Sequence, residues 1–154
     1  MRKIFYDSWV CKLILKSYVA ITLCCFVFTK YLKEEVKGKQ YLINHECTHV
    51  QQWNEFFIIS AVIVFISLLF TKGEGYLWFL SCFVGYYIYY VIEFIGKYIY
   101  YAINPSKKYK KDKSIWYNAY KMISFEIDAR FAEYDNNYLE NRPYFNSLKY
   151  IFKV

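Results

Sequence analysis

The only two histidines in the chain stand four residues apart, within Asn44-His45-Glu46-Cys47-Thr48-His49. This is H-E-x-x-H. On a helix, positions i and i+4 share a face, so both imidazoles can reach one Zn2+. Glu46 projects beside them toward the position that a catalytic zinc leaves open. There it can act as general base, taking a proton from zinc-bound water and passing it to a leaving amine. Cys47 points away from the two-histidine face. Asn44, Gln51 and Gln52 flank the motif, where capping and solvation are the plain roles and substrate-backbone binding the sharper one.

Catalytic zinc ordinarily has three protein ligands. A metzincin would continue the run as H-x-x-G-x-x-H, but the matching places hold Gln52 and Glu55, so the third ligand must come from elsewhere. Ile115, Ala119, Met122, Glu126 and Ala129 follow helical spacing, which predicts one helix with Glu126 on its buried stripe. A carboxylate there needs a cation or a metal, and Glu126 is the expected third ligand. An ion pair with Arg130 at i+4, or with a lysine, is the alternative. Glu93 is the lone carboxylate inside an apolar run. It either pairs with Lys97 at i+4, supports a ligand from behind, or substitutes for one. Glu133 is a further alternative ligand, and Arg130, Tyr117 and Tyr120 are candidates for stabilising an oxyanion.

The elements that must position these residues follow from the apolar pattern. From Tyr41 through His49 and Trp53 to Thr71 there is neither Gly nor Pro, so the motif occupies the first turns of a helix that continues into Phe56–Phe70, a run without charge. Tyr76–Ile92 is likewise uncharged, and Lys72-Gly73-Glu74-Gly75 joins the two. A bilayer core of about 30 Å needs roughly 17–25 helical residues, so these runs predict membrane spans over about 54–71 and 76–96. A shorter apolar segment, Ser17–Thr29, has lysines on both sides that can snorkel, giving a third candidate span over about 13–32. It lacks a small-residue cleavage site, which favours an uncleaved anchor or interfacial helix over a signal peptide. Pro105 ends any helix there, and the region of about 107–154 is expected to form amphipathic helix along the membrane surface. Two spans between the motifs would return the chain to its starting face, leaving His45, His49 and Glu126 on one side.

Composition agrees with this division. The 154 residues suit one domain, and 57% are apolar, above the roughly 45–50% of soluble domains. Aromatics reach 24%, which excludes intrinsic disorder. Five cysteines without C-x-x-C spacing are neither a disulfide framework nor a zinc ribbon, and read as reduced packing residues. The net charge of +7 comes with no nucleic-acid-binding motif. The lysines sit beside the apolar blocks instead: Lys30, Lys33, Lys37 and Lys39 before them, and Lys107, Lys108, Lys110, Lys111 and Lys113 after. There they would meet anionic headgroups. By the positive-inside rule, that distribution puts the site at the cytoplasmic face.

His45-Glu46-x-x-His49 with Glu126-x-x-Ala129 resembles the membrane gluzincins, notably the CAAX prenyl-protease and heat-shock membrane-protease class and the penicillin-sensor peptidases. It is similar, too, to short bacterial membrane proteins carrying N-H-E-x-x-H-x-x-Q-Q and S-F-E-x-x-A. The resemblance covers two short stretches. It implies that His45, His49 and Glu126 bind zinc and that Glu46 is the base. In those families an aspartate follows the E-x-x-A and supports the first histidine. Here Arg130 holds that place, leaving the contact to His45 unassigned.

The sequence therefore predicts an all-α integral membrane bundle, with two or three transmembrane helices and an amphipathic C-terminal helix, in a bacterial inner membrane. Its expected activity is that of a zinc metalloendopeptidase cleaving membrane-associated or hydrophobic peptides, with homo-oligomerisation plausible and nucleic acid excluded. The alternative is a non-catalytic, zinc-stabilised membrane adaptor or partner-binding protein.

Overall fold

A computed structural model of the protein describes residues 3–14, 18–71 and 78–153. Its elements in chain order are β1 (Lys3–Phe5), α1 (Trp9–Ile14), β2 (Ala20–Leu23), β3 (Phe26–Thr29), α2 (Lys33–Val36), α3 (Gln40–Phe70), α4 (Phe79–Ile103), α5 (Ile115–Lys121), α6 (Ser124–Tyr134) and α7 (Tyr138–Asn141). The predicted Lys72–Gly75 connection lies outside the described residues. The chain divides into two units, Met1–Asn54 with Ala129–Tyr144, and Glu55–Asp128 with Phe145–Val154. Helices α3 and α6 each contribute residues to both.

The fold is mostly helical, but the N-terminal segment corrects the all-α expectation. The candidate span of about 13–32 contains no long helix among the described residues; it holds β2 and β3. These belong to a sheet of order β1-β3-β2, with β1 parallel and β2 antiparallel to the central strand. Its residues, Ala20-Ile21-Thr22-Leu23 and Phe26-Val27-Phe28-Thr29, are rich in β-branched and aromatic side chains that suit a pleated surface. Cys24 turns the hairpin at φ 54, and along β3 burial alternates with the side chains. Thr29 Oγ1 donates to Val19 O at 3.2 Å, closing the hairpin base. Val27 then packs with Val36 of α2 and with Ile43, Cys47 and Val50, one stripe of α3, so Cys47 is a core residue as its direction predicts.

In the second unit, α3 and α4 are long and apolar enough to cross a membrane by length and composition. Their large apolar residues face outward: Ile58, Val62, Phe65 and Leu69 on α3, and Phe83, Val84, Val91 and Ile95 on α4. The inward face of α4 carries Cys82, Tyr86, Lys97 and Tyr101 at helical spacing. The two helices come close at Gly85, where a Cβ would meet Ser60 Oγ at 3.1 Å. Tyr101, Ala119, Met122 and Ile127 form this unit's aliphatic–aromatic core.

The single helix predicted from Ile115 through Ala129 is two, which is a second correction. Ser114 caps α5 by accepting from Tyr117 N at 3.1 Å, while Met122 and Ile123 leave the helical path, and α6 restarts at Ser124. A carboxylate from α4 receives that new N-terminus, as described below. The rest of the predicted 107–154 helical region is broken further, into the short α7 and a 3-10 turn at Asn146–Tyr150.

Candidate metal centre

Helix α3 carries the H-E-x-x-H run at a place where nearly every side chain is buried; His45, Glu46 and His49 are 9%, 8% and 7% exposed. Burial this complete requires each polar atom to have a purpose. His45 Nδ1 donates to Glu133 Oε1 at 2.7 Å, and His49 Nδ1 donates to Gln52 Oε1 at 2.8 Å. The other ring nitrogen of each histidine is Nε2. Those two Nε2 atoms face each other at 3.2 Å. Two Zn–N bonds of about 2.0–2.1 Å at a tetrahedral angle set their nitrogens about 3.3 Å apart, which is the spacing seen. The histidine pair has the orientation and separation of metal ligands, and each ring is backed by the kind of acceptor that fixes such ligands.

Glu133 stands beside His45, paired with its Nδ1. It takes the part that the resemblance assigns to an aspartate at position 130, almost one helical turn further along α6. Arg130 itself is half-buried. Gln52, fully buried, is no solvating residue; it sets the tautomer of His49. Asn44 is structural, accepting from Gln40 Nε2 and donating to Asn136 Oδ1, both at 2.9 Å.

Glu46 is held from the sheet. Thr22 Oγ1, on β2, lies 2.7 Å from Glu46 Oε2 and 3.0 Å from the Glu46 carbonyl, so one hydroxyl fixes the carboxylate relative to its own helix. Cys11 of α1 is close enough to feel Glu46. Burial, then the Glu46 charge, pushes its thiol above the ordinary range, which keeps it neutral beside the carboxylate.

On α6, Glu126 is buried, and Tyr90 of α4 donates to its Oε1 at 2.8 Å. One ligand atom from each of His45, His49 and Glu126 lies within 4.8 Å of the others. These are the three residues predicted to hold the metal. Two imidazole nitrogens and a carboxylate oxygen are a zinc donor set, with room left for a fourth ligand. Glu93 is engaged elsewhere: its carboxylate accepts from Ser124 N at 2.9 Å and Ser124 Oγ at 2.6 Å. The predicted Glu93–Lys97 pair is present but loose, at 4.0 Å. Tyr117 and Tyr120 lie on α5.

No family profile, curated protein or solved structure matches the chain. The functional reading therefore rests on these residues alone. Sequence reasoning missed Thr22 and Tyr90, because nothing local marks a hydroxyl whose partner is far along the chain. It named Gln52 and Glu133 without their roles. For Gln52 a signal existed, since a side chain three residues after His49 lies on the same helical face.

Proposed function

We propose that the protein is a membrane-embedded zinc metallopeptidase acting on membrane-associated or hydrophobic peptides. The observation that carries this reading is the histidine pair, with both Nδ1 atoms anchored and both Nε2 atoms turned to one another at 3.2 Å. His45, His49 and Glu126 would hold the metal. Bound zinc would supply a positive charge that polarises a peptide carbonyl and acidifies water at neutral pH. Glu46 does the proton work. Thr22 occupies its Oε2 and leaves Oε1 to take a proton from the attacking water and deliver it to the departing amine. Glu133 and Gln52 hold the two imidazoles with Nε2 turned to the metal position. Tyr90 steadies Glu126 through the oxygen it donates to.

The membrane setting is supported by α3 and α4, whose apolar residues point outward along most of their lengths, as a bilayer would favour and water would not. With the N-terminal segment forming a sheet, the lysines flanking the helix pair support a site at the cytoplasmic face under the positive-inside rule.

The test is metal content and hydrolysis on the detergent-purified protein. Wild type should carry one zinc per chain and His49→Ala should lose it, while Glu46→Gln should keep the zinc and lose hydrolysis of hydrophobic peptides. No zinc bound, and none taken up on titration, would overturn the reading. Tightly held zinc with no activity to lose in Glu46→Gln would identify a zinc-stabilised adaptor instead.

A further inference from the structure

Helix α6 is short, begins abruptly, and carries Glu126 in its first turn. What determines where it begins is not its own sequence but α4. Glu93 reaches across and receives both donors of the first residue, Ser124 N–H at 2.9 Å and Ser124 Oγ at 2.6 Å. A carboxylate at a helix N-terminus satisfies an otherwise unpaired backbone donor and meets the positive end of the helix dipole. The next two residues are held from the same helix. Phe125, fully buried, stacks on Tyr86 with centroids 4.8 Å apart, and Tyr90 donates to Glu126 at 2.8 Å. Tyr86, Tyr90 and Glu93 are spaced by four and three residues, so one face of α4 grips three successive residues of α6.

Lys97, one turn beyond Glu93, would ordinarily compete for that carboxylate. Its ammonium is instead turned toward the C-terminal segment, donating to Ile151 O at 2.7 Å and Lys153 O at 2.5 Å. It stays 4.0 Å from Glu93 Oε1, near enough to balance the charge and too far to donate a hydrogen bond to it. Both Glu93 oxygens thus remain with Ser124. An acidic residue in an apolar helix is expensive to keep, and here each of its oxygens accepts a hydrogen bond from the start of the helix that carries Glu126.

We propose that Glu93 is a positioning residue for Glu126: by capping Ser124 it sets the rotation and axial place of the first turn of α6, and so where the Glu126 carboxylate stands. This inference rests on the metal reading above. A ligand displaced by about 1 Å forfeits much of its contribution, and loss of a residue that orients a ligand typically costs about 10–100-fold in metal affinity.

The experiment compares wild type, Glu93→Ala, Glu93→Gln, Ser124→Ala and the double variant Glu93→Ala/Ser124→Ala, all full length. Three measurements apply: the Zn2+ dissociation constant by chelator competition, the visible spectrum of the Co2+-loaded protein, and amide hydrogen exchange over 124–130 in the metal-free protein. Glu93→Ala should bind Zn2+ about tenfold more weakly. It should also alter the Co2+ bands and speed exchange in the first turn of α6. Glu93→Gln should recover most of this, because its carboxamide oxygen still accepts from Ser124 N and its NH2 can donate to Ser124 Oγ. The double variant should lose little more than Glu93→Ala alone. Wild-type affinity, spectrum and exchange in Glu93→Ala would overturn the proposal, as would Glu93→Gln behaving like Glu93→Ala. Should Glu93→Ala not fold, Glu93→Gln and Ser124→Ala carry the comparison. Wild type that takes up neither ion, together with faster exchange in Glu93→Ala, would overturn the metal reading and the positioning of a ligand with it, leaving Glu93 as a helix cap alone.

Discussion

Replacing Glu133 tests the logic of the site without touching a ligand. Its Oε1 accepts from His45 Nδ1 at 2.7 Å, a short, charge-assisted hydrogen bond between side chains that are 26% and 11% exposed respectively. Hydrogen bonds to charged groups contribute about 1.5–3 kcal/mol and neutral ones about 0.5–1.5 kcal/mol. Glu133→Gln keeps an acceptor and loses the charge, a difference of about 1 kcal/mol, or roughly fivefold in Zn2+ affinity. Glu133→Ala leaves the Nδ1–H of His45 without its acceptor and allows the proton to move to Nε2, where it blocks the ligand lone pair. Its expected cost is about 2 kcal/mol, roughly thirtyfold. The assay is competition against a chromophoric chelator at fixed pH in detergent micelles. A Glu133→Ala affinity within about twofold of wild type would refute the orienting role. Loss of measurable binding, with a Co2+ spectrum showing a missing ligand, would mean instead that Glu133 coordinates the metal directly.

Thr22→Val removes the hydroxyl that holds Glu46 Oε2 while preserving shape; peptide hydrolysis should fall about fivefold in kcat with Zn2+ affinity unchanged, since the lost bond is worth about 1 kcal/mol and touches no ligand. Tyr90→Phe should do the converse, weakening Zn2+ binding about fivefold through loss of the contact to Glu126 Oε1, as measured by the same chelator competition. Metal removal should lower thermal stability: at free Zn2+ of 100 times the dissociation constant, linkage predicts about 2.7 kcal/mol of stabilisation over the metal-free protein. A Tm that does not rise on adding Zn2+ to the chelator-treated protein would count against a native-state site.

The long helices were legible because their causes are local. Neither Gly nor Pro interrupts Tyr41–Thr71, and uncharged runs of bilayer length admit few other readings. The N-terminal run was misread for a related reason. An apolar segment of that length does not itself separate a short helix from a hairpin, and what decides is Cys24 in the left-handed region and the packing of Val27 on α3. The break between α5 and α6 was equally invisible. The stripe from Ile115 to Ala129 has helical spacing throughout, but Glu93, distant in sequence, captures Ser124 and gives the chain a new helical start.

Spacing along one helix singled out the candidate metal donors and base: His45, Glu46 and His49 could be named at once because an i, i+4 pair on a helix shares a face whatever surrounds it. The choice of Glu126 needed only the rule that a carboxylate on a buried face must have a cation. Tertiary structure decided what those groups are poised to do. The settings of His45, His49, Glu46, Glu93, Glu126 and Glu133 each depend on a hydrogen-bond partner. Except for Gln52, each of those partners comes from a distant part of the chain. A donor and its acceptor meet within about 3 Å only after folding, and a sequence records which groups exist, not which of them meet.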